Sequence, residues 1–147
     1  MILTADTQQV LVSDEILRLV AMHQELTSLM ALLAVETRRP VPDMPALTSL
    51  RLKLSKASRQ RAALLDALLI RRLQSASPAQ LVALLELRRL AQVARSISTA
   101  HVSWWMPQAV AADWQGYCRA SVALRRSMAT QIHRESQLLC GRADLLP

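Results

Sequence analysis

Apolar residues recur at every third or fourth position along most of this chain, and proline interrupts the pattern at a few points. One such stripe runs Ile16, Leu19, Val20, Leu26, Leu29, Met30 and Leu33. A second runs Leu47, Leu50, Leu54, Ala57, Leu64, Leu65 and Leu68. A third follows Leu87, Leu90, Ala94, Ile97 and Trp104, and a fourth Trp114, Tyr117, Leu124, Met128, Ile132 and Leu138 or Leu139. This spacing matches the 3.6-residue period of a helix with one buried face and leaves no room for the alternation of a half-buried strand. Composition agrees, since Leu and Ala dominate while there are two glycines, one tyrosine and no phenylalanine. With 147 residues and 52% hydrophobic content the chain suits one domain with one sizeable core, and disorder is excluded. The expected fold is all-α, an up-down-up-down four-helix bundle.

The boundaries carry local signals. Ser13 reads as a helix N-cap, with Asp14 and Glu15 placing negative charge on the first turn. Residues 1–12 then form a loose arm and 13–147 the bundle domain. Pro40, Pro42 and Pro45 end the first helix and admit a second over about 45–73. Ser77-Pro78-Ala79-Gln80 combines a cap, a proline at the first helical position and a glutamine placed to close a capping box. The third helix continues to about 105, where Met106-Pro107 breaks it. After a short connection over 108–113, the last helix runs to about Cys140, with Gly141 in the place of a C-terminal glycine.

Charge and motifs exclude several functions. The formal net charge of +7 rests on sixteen arginines and two lysines. The pairs Arg38-Arg39, Arg71-Arg72, Arg88-Arg89 and Arg125-Arg126 are scattered, with no basic arm and no interleaved aromatics for base stacking. A basic nucleic-acid-associated regulator is therefore only the third reading. Cys118 and Cys140 fall in one helix, too far apart to bridge, and read as reduced thiols of a cytoplasmic protein. Neither has a histidine near in sequence to activate it as a nucleophile. No basic segment followed by an apolar block marks a signal peptide, and no apolar run reaches a bilayer-spanning length. There is no Glu-x-x-His pair, Cys-x-x-Cys or phosphate-binding glycine loop. His133 is expected to face outward and His101 to lie at the edge of the third stripe. With three histidines in all and no catalytic constellation, the chain reads as a non-enzyme without cofactor.

The informative positions are polar residues inside apolar stripes, because burial of an unpaired polar group is costly. His23 lies between Val20 and Leu26, Arg61 between Ala57 and Leu64, and Gln131 and Glu135 stand one turn apart between Met128 and Leu138. The plain alternative for each is a side chain at the stripe's edge that reaches water, as a long arginine readily does. Three helices carrying such residues toward one core make a shared polar site the better reading.

The segment Asp113-Trp114-Gln115-Gly116-Tyr117-Cys118-Arg119, followed by Leu124, Ile132 and Glu135, resembles the last helix of bacterial hemerythrin-like proteins of the HHE type. His23-Gln24-Glu25-Leu26 is similar to that family's first helix, and Leu68-Leu69-Ile70-Arg71-Arg72-Leu73 to the end of its second. The resemblance implies a hemerythrin-like bundle, in which histidine and carboxylate ligands hold two irons. Carried over, the first-helix ligand position is His23. The second-helix His-x-x-x-Glu pair falls on Arg61 and Leu65, and the last-helix pair on Gln131 and Glu135. Only His23 and Glu135 keep ligand chemistry, so the resemblance implies a degenerate member with vestigial ligand positions and no metal.

The sequence therefore leads to a metal-free, non-catalytic bundle that binds a protein partner in regulation or sensing, with a homo-oligomer as one form of partnership. The alternative is a residual metal- or oxygen-binding protein using His23 and Glu135. The sharpest expectation is an Arg61–Glu135 ion pair across the core, joined by Gln131 or His23, with the guanidinium supplying the positive charge a metal would otherwise bring.

Overall fold

A computed structural model describes residues 4–140. The helices are α1 (Ala5–Glu36), α2 (Met44–Gln74), α3 (Pro78–Trp104), the short α4 (Pro107–Ala112) and α5 (Trp114–Leu139), and no strand occurs among the described residues. Helix α1 begins at Ala5, so Ser13 lies inside it and the expected helix start is corrected. The stretch before Ser13 contains neither proline nor glycine, so nothing in it stops a helix from propagating through a residue that merely resembles a cap. Gly141, expected at the end of the last helix, lies outside the described residues.

The remaining ends follow from local chemistry. At the close of α1, the one Thr37 hydroxyl proton is shared between the carbonyls of Leu33 at 3.0 Å and Ala34 at 3.1 Å, and Thr37 N also donates to Leu33 O at 3.0 Å. Helix α2 opens with the Asp43 side chain accepting from Ala46 N at 3.2 Å, and Pro45 stands in its first turn. Ser77 and Gln80 form a complete capping box. Gln80 N donates to Ser77 Oγ at 3.3 Å, and Ser77 N donates to Gln80 Oε1 at 3.0 Å. Ser77→Ala should lower the stability of the fold by about 1 kcal/mol, read as a fall in the urea midpoint with unchanged slope. An unmoved midpoint would mean that the box contributes nothing. Helix α5 is capped by Asp113, whose Oδ1 accepts from Gly116 N at 2.9 Å. A β-carbon on Gly116 would come within 2.1 Å of the Asp113 carboxylate, so a larger residue there would make the capping side chain shift.

Around the core, α1 packs against α2 and α5, and α3 packs against α5 and α2. The buried apolar residues form two clusters. One joins Leu19 of α1, Leu64, Leu65, Leu68 and Leu69 of α2, Leu84 and Leu87 of α3, and Leu139 of α5. The other joins Leu26, Leu29 and Leu33 of α1, Leu47, Leu50 and Ala57 of α2, Val110 of α4, and Tyr117 of α5. Tyr117 is the centre of an aromatic corner in the second cluster. Its ring stacks on Trp114 at 5.7 Å between centroids, meets Trp105 edge-on at 5.7 Å, and lies 5.9 Å from the His101 ring. The Arg51 guanidinium sits 5.4 Å from the Tyr117 centroid and donates to the Trp105 carbonyl at 2.6 Å. Trp114 Nε1 donates to the Arg39 carbonyl at 2.8 Å, which ties the start of α5 to the α1–α2 connection.

Two expectations change. Ile97 and Trp104 were expected in the core but are 46% and 76% exposed. The inward seam of α3 is instead Leu84, Leu87, Ala91, Ala94, Ser98, His101 and Trp105, at alternating three- and four-residue steps. Small residues occupy its middle, and the larger Ile97 and Trp104 each stand one position off the seam. The expectation that no run is long and apolar enough for a bilayer is also corrected. Asp14–Glu36, 23 residues with a mean hydropathy of 1.3, meets that criterion by length and composition. His23, Gln24 and Glu25 interrupt the run without lowering its average below that mark. In this structure Leu19, Leu26, Leu29, Met30 and Leu33 of this helix are buried within the fold, while Leu17, Leu32 and Val35 are exposed.

Candidate functional site

A polar layer separates the two apolar clusters. On α1, His23 lies between Leu19 of one cluster and Leu26 of the other. On α2, Arg61 lies between Ala57 and Leu64, which again belong to different clusters. On α5, Gln131 and Glu135 lie between Tyr117 and Leu139. Helical periodicity turns these residues inward with the leucines, and packing brings three of them together.

Glu135 is the hub and is fully buried. Arg61 Nη1 donates to Glu135 Oε2 at 2.9 Å, and His23 Nε2 meets Glu135 Oε1 at 3.0 Å. Each carboxylate oxygen thus has its own donor. A proton on Nε2 is required for this contact, and in the neutral imidazole that leaves Nδ1 as an acceptor. Ser136 Oγ lies 3.3 Å from Nδ1, suitably placed to donate to it. The result is a chain Arg61–Glu135–His23–Ser136 linking α2, α5 and α1. Arg61 retains 12% side-chain exposure, against 0% for Glu135, so its head is the one member within reach of water.

Of the polar residues singled out in the sequence, His23, Arg61 and Glu135 are in contact. Gln131 is not. It is 1% exposed, and neither its amide nitrogen nor its oxygen has a partner among the described residues; Arg61 Nε is likewise buried without an acceptor. Leu65 is 2% exposed within the first apolar cluster, so that position contributes packing. Ser136 had not been singled out. A hydroxyl next to Glu135 on an inward helix face was the available signal, but serine is too common on helix surfaces for that to stand alone.

This arrangement does not fit a di-iron centre. The Glu135 carboxylate that would bridge or bind a dication is engaged on both oxygens, one of them by a guanidinium that would repel the metal. No group of three or more His, Cys, Asp or Glu side chains able to hold a metal ion occurs among the described residues. His133 is exposed and His101 half-buried, so neither joins the layer. Burial holds the His101 imidazole below its ordinary range, assisted by the Arg51 charge. Burial also pushes both thiols up, at Cys118 against the charges of Arg125 and Arg119, and at Cys140 with help from Glu135. A thiol held in its neutral form is a poor nucleophile.

No protein-family model, curated protein or solved structure matches this chain.

Proposed function

We propose that the chain is a degenerate hemerythrin-like protein, an up-down-up-down four-helix bundle without a di-iron centre, which acts in the cytoplasm by binding a protein partner in a regulatory or sensing role. The observation that carries this reading is the Arg61–Glu135–His23 layer. It lies at the positions that the resemblance assigns to ligands, and it holds a cation of its own in place of a metal. The alternating order in which the long helices enter the two apolar clusters supports the topology. Helix α1 runs from Leu19 in the first cluster to Leu26 in the second, α2 back from Ala57 to Leu64, α3 out again from Leu87 toward Trp105 just past its end, and α5 back from Tyr117 to Leu139. A role in binding is supported by the outward face of α3, where Val82, Val93, Ile97 and Trp104 are exposed at 70%, 45%, 46% and 76%.

Elemental analysis tests the metal-free reading. Protein loaded anaerobically with Fe(II) or Zn(II) and then desalted should retain only substoichiometric metal. One bound iron or zinc per chain, lost in Glu135→Ala, would instead establish the residual metal-binding alternative. For the partner, Val93→Asp with Ile97→Asp should abolish cross-linking in host cells while the helical circular dichroism stays unchanged. Cross-linking that survives both substitutions would move the binding face elsewhere.

A further inference from the structure

Away from the polar layer, the end of α1 and the first half of α5 enclose an open cleft of about 380 Å³. Ala34 in the last turn of α1 and Thr37 and Arg38 just past it line one wall. Cys118, Arg119, Val122 and Arg125 line the other, all on one face of α5. The volume is in the range of small-molecule sites. Three arginines line it and no acidic residue does. Elsewhere on the surface Arg39, Arg71, Arg89 and Arg95 each pair with an acid, and the cleft is distinguished by three arginines lining one cavity. The nearest acid in sequence, Glu36, is already held by Arg39 at 2.8 Å.

The simpler account is that these arginines complement the negative end of α1. That end carries only about half an elementary charge, however, so three cations exceed it several-fold. Arg125 shows the imbalance at atomic level. Its Nη2 has only the Thr37 hydroxyl, at a long 3.5 Å, and its Nε is buried without any acceptor among the described residues. The side chains of Arg38 and Arg119 have no ion pair or hydrogen bond among those residues. Guanidinium forks in this number suit an oxyanion that accepts several charge-assisted bonds. Ala34, Val122 and the Cys118 thiol offer apolar surface for a carbon skeleton beside it.

We propose that this cleft binds a small organic oxyanion, a phosphate or polycarboxylate, through Arg38, Arg119 and Arg125. The site is independent of the polar layer and of the partner face on α3. Titration calorimetry with glycerol 3-phosphate and with citrate, at constant ionic strength, separates the two sources of the anion, and sodium chloride serves as the blank. Saturable binding of either probe is expected. Arg119→Gln and Arg125→Gln should each weaken it about tenfold or more, the usual consequence of losing a hydrogen bond to a charged group. Arg126→Gln, an exposed arginine outside the cleft lining, should leave it unchanged. Alkylation of Cys118 by iodoacetamide should slow with the bound anion while that of Cys140 does not, which places the ligand in the cleft. Should Arg125→Gln fail to fold, the exposed Arg119→Gln and the alkylation pattern decide. Heats that do not saturate, equal losses in Arg119→Gln and Arg126→Gln, or undiminished Cys118 alkylation at saturation would each overturn the proposal.

Discussion

Arg61→Ala should destabilise the protein by about 3 kcal/mol or more, because it removes the guanidinium that compensates the fully buried Glu135 carboxylate and leaves that charge with a hydrogen bond to His23. Glu135→Ala should cost less. It frees a guanidinium that already has 12% exposure and is able to turn toward water, although His23 loses the acceptor on Nε2. This asymmetry follows from geometry, since burial is complete on only one side of the pair. The double substitution should cost less than the sum of the two, with a coupling on the order of 1–3 kcal/mol. Replacing the pair by Met at 61 and Leu at 135 should come close to neutral, because two desolvated charges are exchanged for packed apolar volume. Urea denaturation of the four variants closes the cycle. Additive, near-neutral single substitutions would show that the pair is not coupled in solution.

Tyr117→Ala should be the other large effect, at about 4 kcal/mol, in the range for removing a buried aromatic ring. Tyr117 is 1% exposed and holds Trp105, Trp114, His101 and Arg51 around one ring. Its loss leaves a cavity where α3, α4 and α5 meet, and removes the platform beneath the Arg51 guanidinium. Tryptophan fluorescence should report the change directly, because two of the three tryptophans touch this ring. Tyr117→Phe keeps the ring and should cost well under half as much, about 1 kcal/mol. Similar losses in both variants would mean that the hydroxyl, and not the ring, organises this corner.

The two effects come from features of different legibility. Tyr117 was readable as core from its place on a stripe, as were His23, Arg61 and Glu135 as polar exceptions. What the stripes did not reveal is which of these residues touch. His23 and Glu135 are 112 positions apart, and Arg61 and Glu135 are 74 apart. No local spacing encodes such contacts. The expectation that Gln131 or His23 would join the pair was resolved by packing, which brings in His23 and leaves Gln131 buried without a partner among the described residues.

Helix ends were legible wherever a few neighbouring atoms decide them. The Ser77–Gln80 box and the prolines at 40, 42, 45 and 107 act within one turn of chain, so type and spacing suffice. Ser13 shows the limit of that logic, because a capping residue starts a helix only if the chain before it leaves the helical path. The rotation of α3 was beyond local reading. Its seam passes through Ala91, Ala94 and Ser98, small residues that fit either a close helix contact or open solvent, and only the neighbours α2 and α5 decide which. The arginine cleft has the same origin. Arg38 stands just past the end of α1 and Arg119 and Arg125 on α5, each an unremarkable surface residue in sequence. Their shared charge becomes a property of the molecule only when α1 and α5 lie side by side, because electrostatic fields depend on distance in space and not on separation along the chain.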